Sequence, residues 1–188
     1  METPPNILQI IKPVYELLSY TNLNNFRMEE PLAEPYLSLS RIDGRNRELI
    51  QSPENTERLH RGSCYDQSFL VKRWMESIGV PTRHFHSVTM NLPRTNGVWH
   101  YAGGVVSHAF VLCLVNGVWK WIEWSWCANI RNDIREGDIA AALQKYKSTA
   151  ESSWHHPVRL VEIKDHPSLP VPRLDFLNWC MAQDEIAL

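Results

Sequence analysis

The sequence predicts a single domain of the α+β class, built from both helices and antiparallel strands. Its 188 residues are enough for one sizeable hydrophobic core. Apolar residues recur at steps of three and four over residues 64–78, which predicts a helix. Two β-rich segments flank Asn116-Gly117, the residue pair preferred in the tight turn of a β-hairpin. A helix and a hairpin are therefore expected in the same core.

Composition and charge narrow the classes of function. The apolar fraction of 44% and the charged fraction of 21% are those of a globular protein. The net charge is −2 and charges of one sign form no long run, so the sequence gives no electrostatic support for binding nucleic acid or acidic lipid. No segment has the length of a membrane span, and residues 1–20 lack the apolar core of a secretory signal. We expect a cytoplasmic protein that binds neither membranes nor nucleic acid.

The cysteines are expected to be reduced thiols. They stand at positions 64, 113, 127 and 180, form no Cys-x-x-Cys pair and show no spacing typical of a disulfide framework. A zinc site is the main chemical alternative, because cysteine and histidine are permitted zinc ligands. The sequence contains no short ligand pair, however, and Cys113 is expected on the opposite strand face from His108. We therefore predict no metal and no cofactor.

The first third of the chain carries weak signals. Apolar spacing predicts a helix over residues 6–19, which Pro13 bends or splits. Residues 27–47 are predicted to be irregular, with a short strand at 36–40. One or two helical turns are expected over residues 47–59, interrupted near Pro53.

The segment around Cys64 has the residues best suited to chemistry. Gly62-Ser63 leads into Cys64, which stands in the first turn of a predicted helix of about four turns. Gly79 ends that helix, and Pro81 prevents its continuation. Unpaired N–H groups at a helix start stabilise an anion, and the thiolate is the reactive form of cysteine. The alternative is a small buried cysteine that only packs.

Strands are predicted on both sides of a long connection. A strand is predicted over residues 82–89, with His84 and His86 on one face. These two histidines are expected at the protein surface rather than in contact with a substrate. In the connection at 91–104, Trp99 either contacts a ligand or packs the loop down, with packing slightly favoured. The remaining predicted elements are the two hairpin strands (105–115 and 118–126), a helix (133–147), a strand (157–163) and a closing helix (174–186).

The predicted hairpin brings a histidine and a glutamate together. With Asn116-Gly117 as a two-residue turn, His108 faces Ser125 and Phe110 faces Glu123. His108 and Glu123 are then diagonal neighbours on one face, about 7–8 Å apart at the backbone and within reach of a long side chain. A carboxylate there would hold the imidazole in one tautomer and favour its charged form.

Cys64, His108 and Glu123 form a chemically coherent set. A thiol needs a base to become a nucleophile, and the base needs a third group to orient it. Spacing along the chain does not by itself bring Cys64 to His108.

Three motifs in this order resemble the transglutaminase-like superfamily. Gly62-Ser63-Cys64, followed by a helix that ends in Ile78-Gly79-Val80-Pro81-Thr82-Arg83, resembles its nucleophile segment, which reads Gly-x-Cys, helix, Gly-Ile/Val-Pro-Ala-Arg. Ser107-His108-Ala109-Phe110-Val111 resembles the family's His-Ala-Trp strand. Gly117-Val118-Trp119-Lys120-Trp121-Ile122-Glu123 resembles its Gly-x-Trp-x-x-x-Asp strand, with glutamate where the family usually has aspartate.

The resemblance implies a papain-like arrangement, in which a nucleophile helix packs on an antiparallel sheet. It makes residues 1–188 one transglutaminase-like domain, with a catalytic core at about 60–126. Residues 1–59 form a helical and irregular segment, and residues 127–188 supply helices and a strand. It also assigns roles: Cys64 is the nucleophile, His108 the general base and acid, and Glu123 the orienting carboxylate.

The expected reaction is hydrolysis of a peptide, isopeptide or glutamine side-chain amide through a thioester acyl-enzyme, on a protein or peptide substrate. The backbone N–H of Cys64 is the natural oxyanion donor. Further candidates for oxyanion or substrate contacts are Gln51, Asn55, Trp99 and Trp121. Acyl transfer to an amine is the second choice, and a non-catalytic protein-binding module that retains the fold is the competing class. The oligomeric state stays open.

Overall fold

A five-stranded antiparallel sheet is the central element of the chain, which is described here from a computed structural model. The structure describes residues 19–20, 49–59, 61–62, 64–89, 94–95, 98–99, 107–122, 131–165 and 168–188. Helices occur in these ranges together with a run of consecutive, antiparallel strands, which confirms the α+β class. The strand predicted at 36–40, and all but the last residue of the helix predicted over 6–19, lie outside the described residues.

The described elements in chain order are β1 (Ser19–Tyr20), β2 (Leu49–Ile50), α1 (Pro53–Leu59), β3 (Arg61–Gly62), α2 (Cys64–Ser77), β4 (Thr82–Thr89), β5 (Arg94–Thr95), β6 (Val98–Trp99), β7 (Ser107–Val115), β8 (Val118–Ile122), β9 (Arg131–Ile134), a 3-10 helix (Glu136–Asp138), α3 (Ile139–Trp154), β10 (Val158–Glu162), β11 (Val171–Pro172) and α4 (Arg173–Ala182).

The central sheet has the strand order β10-β4-β7-β8-β9, and every neighbouring pair is antiparallel. Among the described residues, three two-stranded pairs lie outside it: β1 with β3 in parallel, and β2 with β11 and β5 with β6 antiparallel.

The helix predicted to start at Cys64 is confirmed. α2 begins at Cys64 and has 14 residues, which is about four turns. At its end, Gly79 adopts a φ of 76°. The Gly79 N–H donates to the carbonyl of Glu76 at 3.0 Å, and the Val80 N–H donates to the carbonyl of Met75 at 2.8 Å. These two bonds form a Schellman motif, which satisfies carbonyl groups that the helix end would otherwise leave unpaired.

The predicted hairpin is also confirmed over its described residues. The turn residues of Asn116-Gly117 have φ values of 54° and 76°, as a type I′ turn requires. The register is the predicted one, from Val115 opposite Val118 to Val111 opposite Ile122. Side chains two positions apart on β7 therefore share a face of the sheet.

Other predicted elements differ from the structure mainly at their bounds. β4 has the predicted bounds, β10 lies within the predicted strand, and α4 is shorter than the predicted closing helix. The helix predicted over 133–147 begins later because residues 131–134 pair with β8 as an edge strand. Pro53 begins α1 rather than interrupting a helix, since proline suits the first helical position. Within the described ranges, no helix combines the length and apolarity needed to cross a membrane.

Helices cover both faces of the central sheet. One face, here called the α2 face, packs against α2 and α4 and carries His84, His86, Val88, Ala109, Val111 and Cys113. The opposite face, here called the α3 face, packs against α3 and carries Phe85, Ser87, His108, Phe110 and Leu112. Successive strand residues point to opposite faces, so the strand register decides which side chains meet each helix.

A bidentate ion pair joins β4 to β10 at the edge of the sheet. Arg83 donates to Glu162 from Nε at 2.7 Å and from Nη2 at 2.8 Å. These hydrogen bonds raise the pKa of the Arg83 guanidinium above its ordinary value. The paired geometry adds directional preference to the strand pairing, because a planar guanidinium matches a carboxylate in one orientation.

Replacing Gly79 with alanine is expected to lower the free energy of unfolding by about 1 kcal/mol, because a Cβ disfavours positive φ. An added Cβ would meet no atom within 4 Å, so the loss would come from backbone conformation alone. Chemical denaturation measures it. Gly137→Ala is the matched control, since Gly137 also has open space and lies outside the left-handed region. Equal losses in the two variants would contradict the assignment.

Candidate functional site

Cys64 is the first residue of α2 and lies against the sheet. It is 6% exposed and packs in a buried cluster with Tyr65, Ala109 and Phe176. The first N–H groups of a helix have no partner within the helix, and their partial positive charge favours an anion beside them. The position of Cys64 therefore suits a thiolate or a negatively charged reaction intermediate.

The other described cysteines have a different environment. Cys113 and Cys180 are fully buried, and burial raises the pKa of both thiols well above the ordinary value. Thiols of that kind are inert toward electrophiles. Cys127 lies outside the described residues. Cys64 is thus the described thiol with the environment of a nucleophile.

Buried polar groups tie the start of α2 to the segment before it. The backbone N–H of Gln51 donates to Oδ1 of Asp66 at 2.7 Å, and both residues are buried. Asn55 donates from Nδ2 to Oε1 of Gln51 at 3.3 Å. Gln51 and Asn55, the two predicted oxyanion candidates, are therefore held to one another beside the first turn of α2.

A second polar group surrounds the residue that follows Cys64. The Tyr65 hydroxyl is hydrogen-bonded to the Ser107 hydroxyl, and Arg173 donates from Nη2 to the same Ser107 oxygen at 2.9 Å. The Arg173 guanidinium carbon lies 5.4 Å from the centre of the Tyr65 ring. Burial raises the pKa of Tyr65 above its ordinary value. The buried guanidinium of Arg173 therefore packs against the residue that follows Cys64 in the chain.

His84 and His86 share a face, as the sequence predicts, but both are fully buried, whereas surface positions were expected. The reason is that α2 and α4 cover that face. His84 Nε2 lies 2.8 Å from the Ser68 hydroxyl oxygen. Because that hydroxyl donates its proton to the Tyr65 carbonyl at 2.7 Å, the imidazole of His84 is the donor to Ser68.

His86 packs against the buried cluster that contains Cys64. Its ring centre is 4.9 Å from that of Tyr65 and 5.4 Å from that of Phe176. Its cross-strand neighbours are Ala109 on β7 and Val161 on β10. All four neighbours belong to the same buried cluster as Cys64: Tyr65, Phe176, Ala109 and Val161.

The His86 ring has no hydrogen-bond partner at either nitrogen among the described residues. Burial is the main cause that holds the pKa of His86 well below its ordinary value, and the charges of His84, Arg173 and His108 act in the same direction. The imidazole is therefore neutral at pH 7. An unsatisfied buried donor costs about 1–3 kcal/mol, so a ring kept in this state calls for a functional explanation.

His108 lies on the α3 face, on the other side of the sheet from α2. Its cross-strand neighbour is Ser87, whose hydroxyl lies 2.8 Å from the hydroxyl of Tyr146 in α3. The His108 ring centre is 6.4 Å from that of Phe110, which packs against the same helix. The described geometry therefore does not bring His108 and Cys64 onto one face, and their predicted contact is not supported.

The remaining predicted site residues are Glu123, Trp99 and Trp121. Glu123 is outside the described residues, so its predicted pairing with His108 stays a prediction. Trp99 is described only as backbone in β6. Trp121 is buried on the α3 face, with its ring centre 4.1 Å from that of Phe110. Trp121 is thus a core residue, and a substrate contact beside Cys64 is not supported for it.

His86 and Arg173, which both pack against Tyr65, were given no catalytic role from the sequence. For His86 the available signal was its place two positions from His84 on a strand that follows the Cys64 helix. For Arg173 no local signal existed, since it reaches the site from the start of α4.

Comparison with known proteins assigns no family. A scan against protein-family models gives no match, and a search of the curated proteins gives no significant match. In the part of the chain that the structure describes, no group of three or more histidine, cysteine, aspartate or glutamate side chains is placed to hold a metal ion. Proposals about function therefore rest on the geometry around Cys64 and on the sequence motifs.

Acidification is expected to destabilise the fold through His86. Its pKa lies well below 6.5 in the folded protein, so the unfolded chain takes up the proton first. The stability that the neutral ring contributes is fully present above about pH 6.5. It is lost as the pH falls toward the folded pKa, by up to about 1.4 kcal/mol per pH unit.

Urea denaturation of the wild type and of His86→Leu at pH 7.5 and pH 5.5 measures this loss. The variant is expected to lose up to about 1.4 kcal/mol less stability over that interval. An identical pH dependence in both proteins would show that His86 is not kept neutral by its surroundings.

Proposed function

We propose that the protein is a cysteine-dependent amide-bond enzyme of papain-like arrangement, with Cys64 as its nucleophile. The observation that carries the proposal is the Cys64 thiol at the first residue of α2, packed on an antiparallel sheet, with a buried imidazole and a buried guanidinium against the ring of the neighbouring Tyr65. The resemblance of the surrounding motifs to the transglutaminase-like superfamily supports the same chemistry.

The proposed reaction has two halves. A base takes the thiol proton, Sγ of Cys64 bonds to the substrate carbonyl carbon, and the C–N bond breaks as the leaving amine receives that proton. Water then adds to the thioester carbon, the C–S bond breaks, and the carboxylic acid and the thiol are released. The backbone N–H of Cys64 donates to the oxyanion in both halves.

Proteins or peptides are the proposed substrates, with hydrolysis as the first choice because water is the default acceptor. Acyl transfer to a primary amine uses the same thioester and differs only in the group that resolves it. The two are separated by measuring the free acid formed from a glutamine-containing peptide with and without a primary amine. Hydrolysis gives the acid in both cases, whereas transfer gives the substituted amide when amine is present.

A non-catalytic protein-binding module is the second candidate function. The observation that favours it is the position of His108 on the α3 face, away from the thiol that the sequence motif pairs with it. Under this alternative, Cys64 is a packing residue, and its replacement would leave function intact.

Cys64→Ala is expected to abolish amide cleavage, with a loss of at least about a thousandfold in kcat, because the nucleophile is removed. A peptide that carries a diazoketone in place of the glutamine carboxamide is expected to label the wild type, with mass mapping to Cys64. Thermal unfolding of Cys64→Ala should stay close to that of the wild type, since the side chain is small.

Cys180→Ala is the matched control, because Cys180 lies in the same buried cluster and its thiol is inert. We expect it to label at Cys64 as fast as the wild type. Labelling that maps to another residue, or full activity in Cys64→Ala, would reject Cys64 as the nucleophile. A wild type that neither cleaves amides nor is labelled would leave the binding module.

A further inference from the structure

We propose that His86, rather than His108, is the imidazole that takes the proton from the Cys64 thiol. This inference rests on the proposed function, because it names the base of the same reaction. It is carried by two observations: His86 lies on the α2 face among residues of the cluster that contains Cys64, and its ring nitrogens have no hydrogen-bond partner among the described residues.

The sheet itself separates the two rival histidines. The pairing of β4 with β7 runs from Thr82 opposite Cys113 to Val88 opposite Ser107 without a shift. Strict alternation therefore places His86 and Ala109 on the α2 face and His108 on the other. A ring on the α3 face would have to pass through the hydrogen-bonded backbone to reach a thiol on α2.

Hydrogen bonding separates His86 from its neighbour His84. Nε2 of His84 donates to Ser68, which fixes that ring to α2. The His86 ring instead packs against Tyr65 and Phe176 without a polar contact to either. If this position served only for packing, an apolar residue would be less costly than histidine, because an apolar side chain has no hydrogen-bond donor to leave unsatisfied.

The charges around His86 favour a neutral base. The groups that face it are Tyr65 from α2, Arg173 from α4 and His84 from its own strand, with His108 acting from the opposite face. Arg173 and the histidines disfavour a second positive charge, so the resting ring has a lone pair available for the thiol proton. Arg173 also favours the negative charge that develops on sulfur during attack.

The proton balance follows from this arrangement. The proton leaves Sγ of Cys64 for a ring nitrogen of His86 as the S–C bond forms, and it passes to the amine nitrogen as the C–N bond breaks. In the second half, His86 takes a proton from water and returns one to sulfur. No oxidant, metal or further reactant is required.

The pH dependence of iodoacetamide alkylation at Cys64 tests the assignment. Wild type, His86→Gln, His84→Gln and His108→Gln are treated between pH 5.5 and 9.5, and the modified cysteine is identified by mass. Because neutral His86 accepts the thiol proton as Sγ attacks the reagent, the wild type is expected to react below the pH range of a free thiol, whose pKa is about 8.5. In His86→Gln the rate at pH 6.5 is expected to fall about 100-fold, the lower end of what a general base contributes.

His84→Gln is the matched comparison, since it removes a buried imidazole from the same strand face and leaves the His86 ring in place. It should lose far less reactivity at pH 6.5 than His86→Gln does. The inference is overturned if His108→Gln loses the reactivity at pH 6.5 and His86→Gln keeps it, and in that case the cysteine mechanism still stands. If the wild type itself reacts only as a free thiol, and the diazoketone peptide fails to label Cys64, both the inference and the proposed function fail.

A second measurement needs no substitution at a buried histidine. Cys64 of the wild type is alkylated with iodoacetate or with iodoacetamide, which attach a charged or a neutral group of similar size. Histidine NMR titrations of the two products are then compared. The carboxylate is expected to move the titration of His86 upward by about one pH unit, more than that of His108. A larger shift at His108 would overturn the inference.

Discussion

The unbroken register between β4 and β7 is the constraint on which the candidate site depends. A slip of one residue on β7 would exchange its faces, so that His108 would point to α2 and Ala109 to α3. Both faces are buried, and the slip would also remove Phe110 from its stack on Trp121. The packing on both faces therefore specifies the register, and the register in turn decides which histidine side chains lie on the α2 face.

The two halves of α2 differ in the polarity of their buried side chains, and the polar half fixes the end of the helix that carries the thiol. The second half packs apolar side chains, Val71 and Met75, against the sheet. The first half buries Asp66, Gln67 and Ser68, which an apolar core would not require. Asp66 is bonded to Gln51 and Ser68 to His84, so polar bonds to distant parts of the chain fix the first turn. A core built only for stability would use apolar residues there, and departures of this kind are typical of functional sites.

Local signals predicted the elements of this fold, but not which of them cover one another. The start of α2 at Cys64, the turn at Asn116-Gly117 and the bounds of β4 follow from capping, turn and strand preferences that act over a few residues. Alternation also predicted that His84 and His86 share a face. Their burial could not be predicted, because it depends on α2 and α4 packing over that face. For the same reason, the sequence predicted which residues of β7 share a face with His108, but it did not predict which face α2 covers.

The charge pattern around the proposed base differs from the one that the sequence motif implies. A carboxylate behind the imidazole favours its charged form and a resting ion pair with the thiolate. At His86 the nearby fixed charge is instead the guanidinium of Arg173, which favours a neutral ring. Under the proposal, the Arg173 guanidinium, which packs on the Tyr65 ring, would stabilise the negative charge of the transition state without a protonated imidazole. In the proposed mechanism His86 is therefore neutral before the attack, and the proton moves as the substrate carbonyl is attacked.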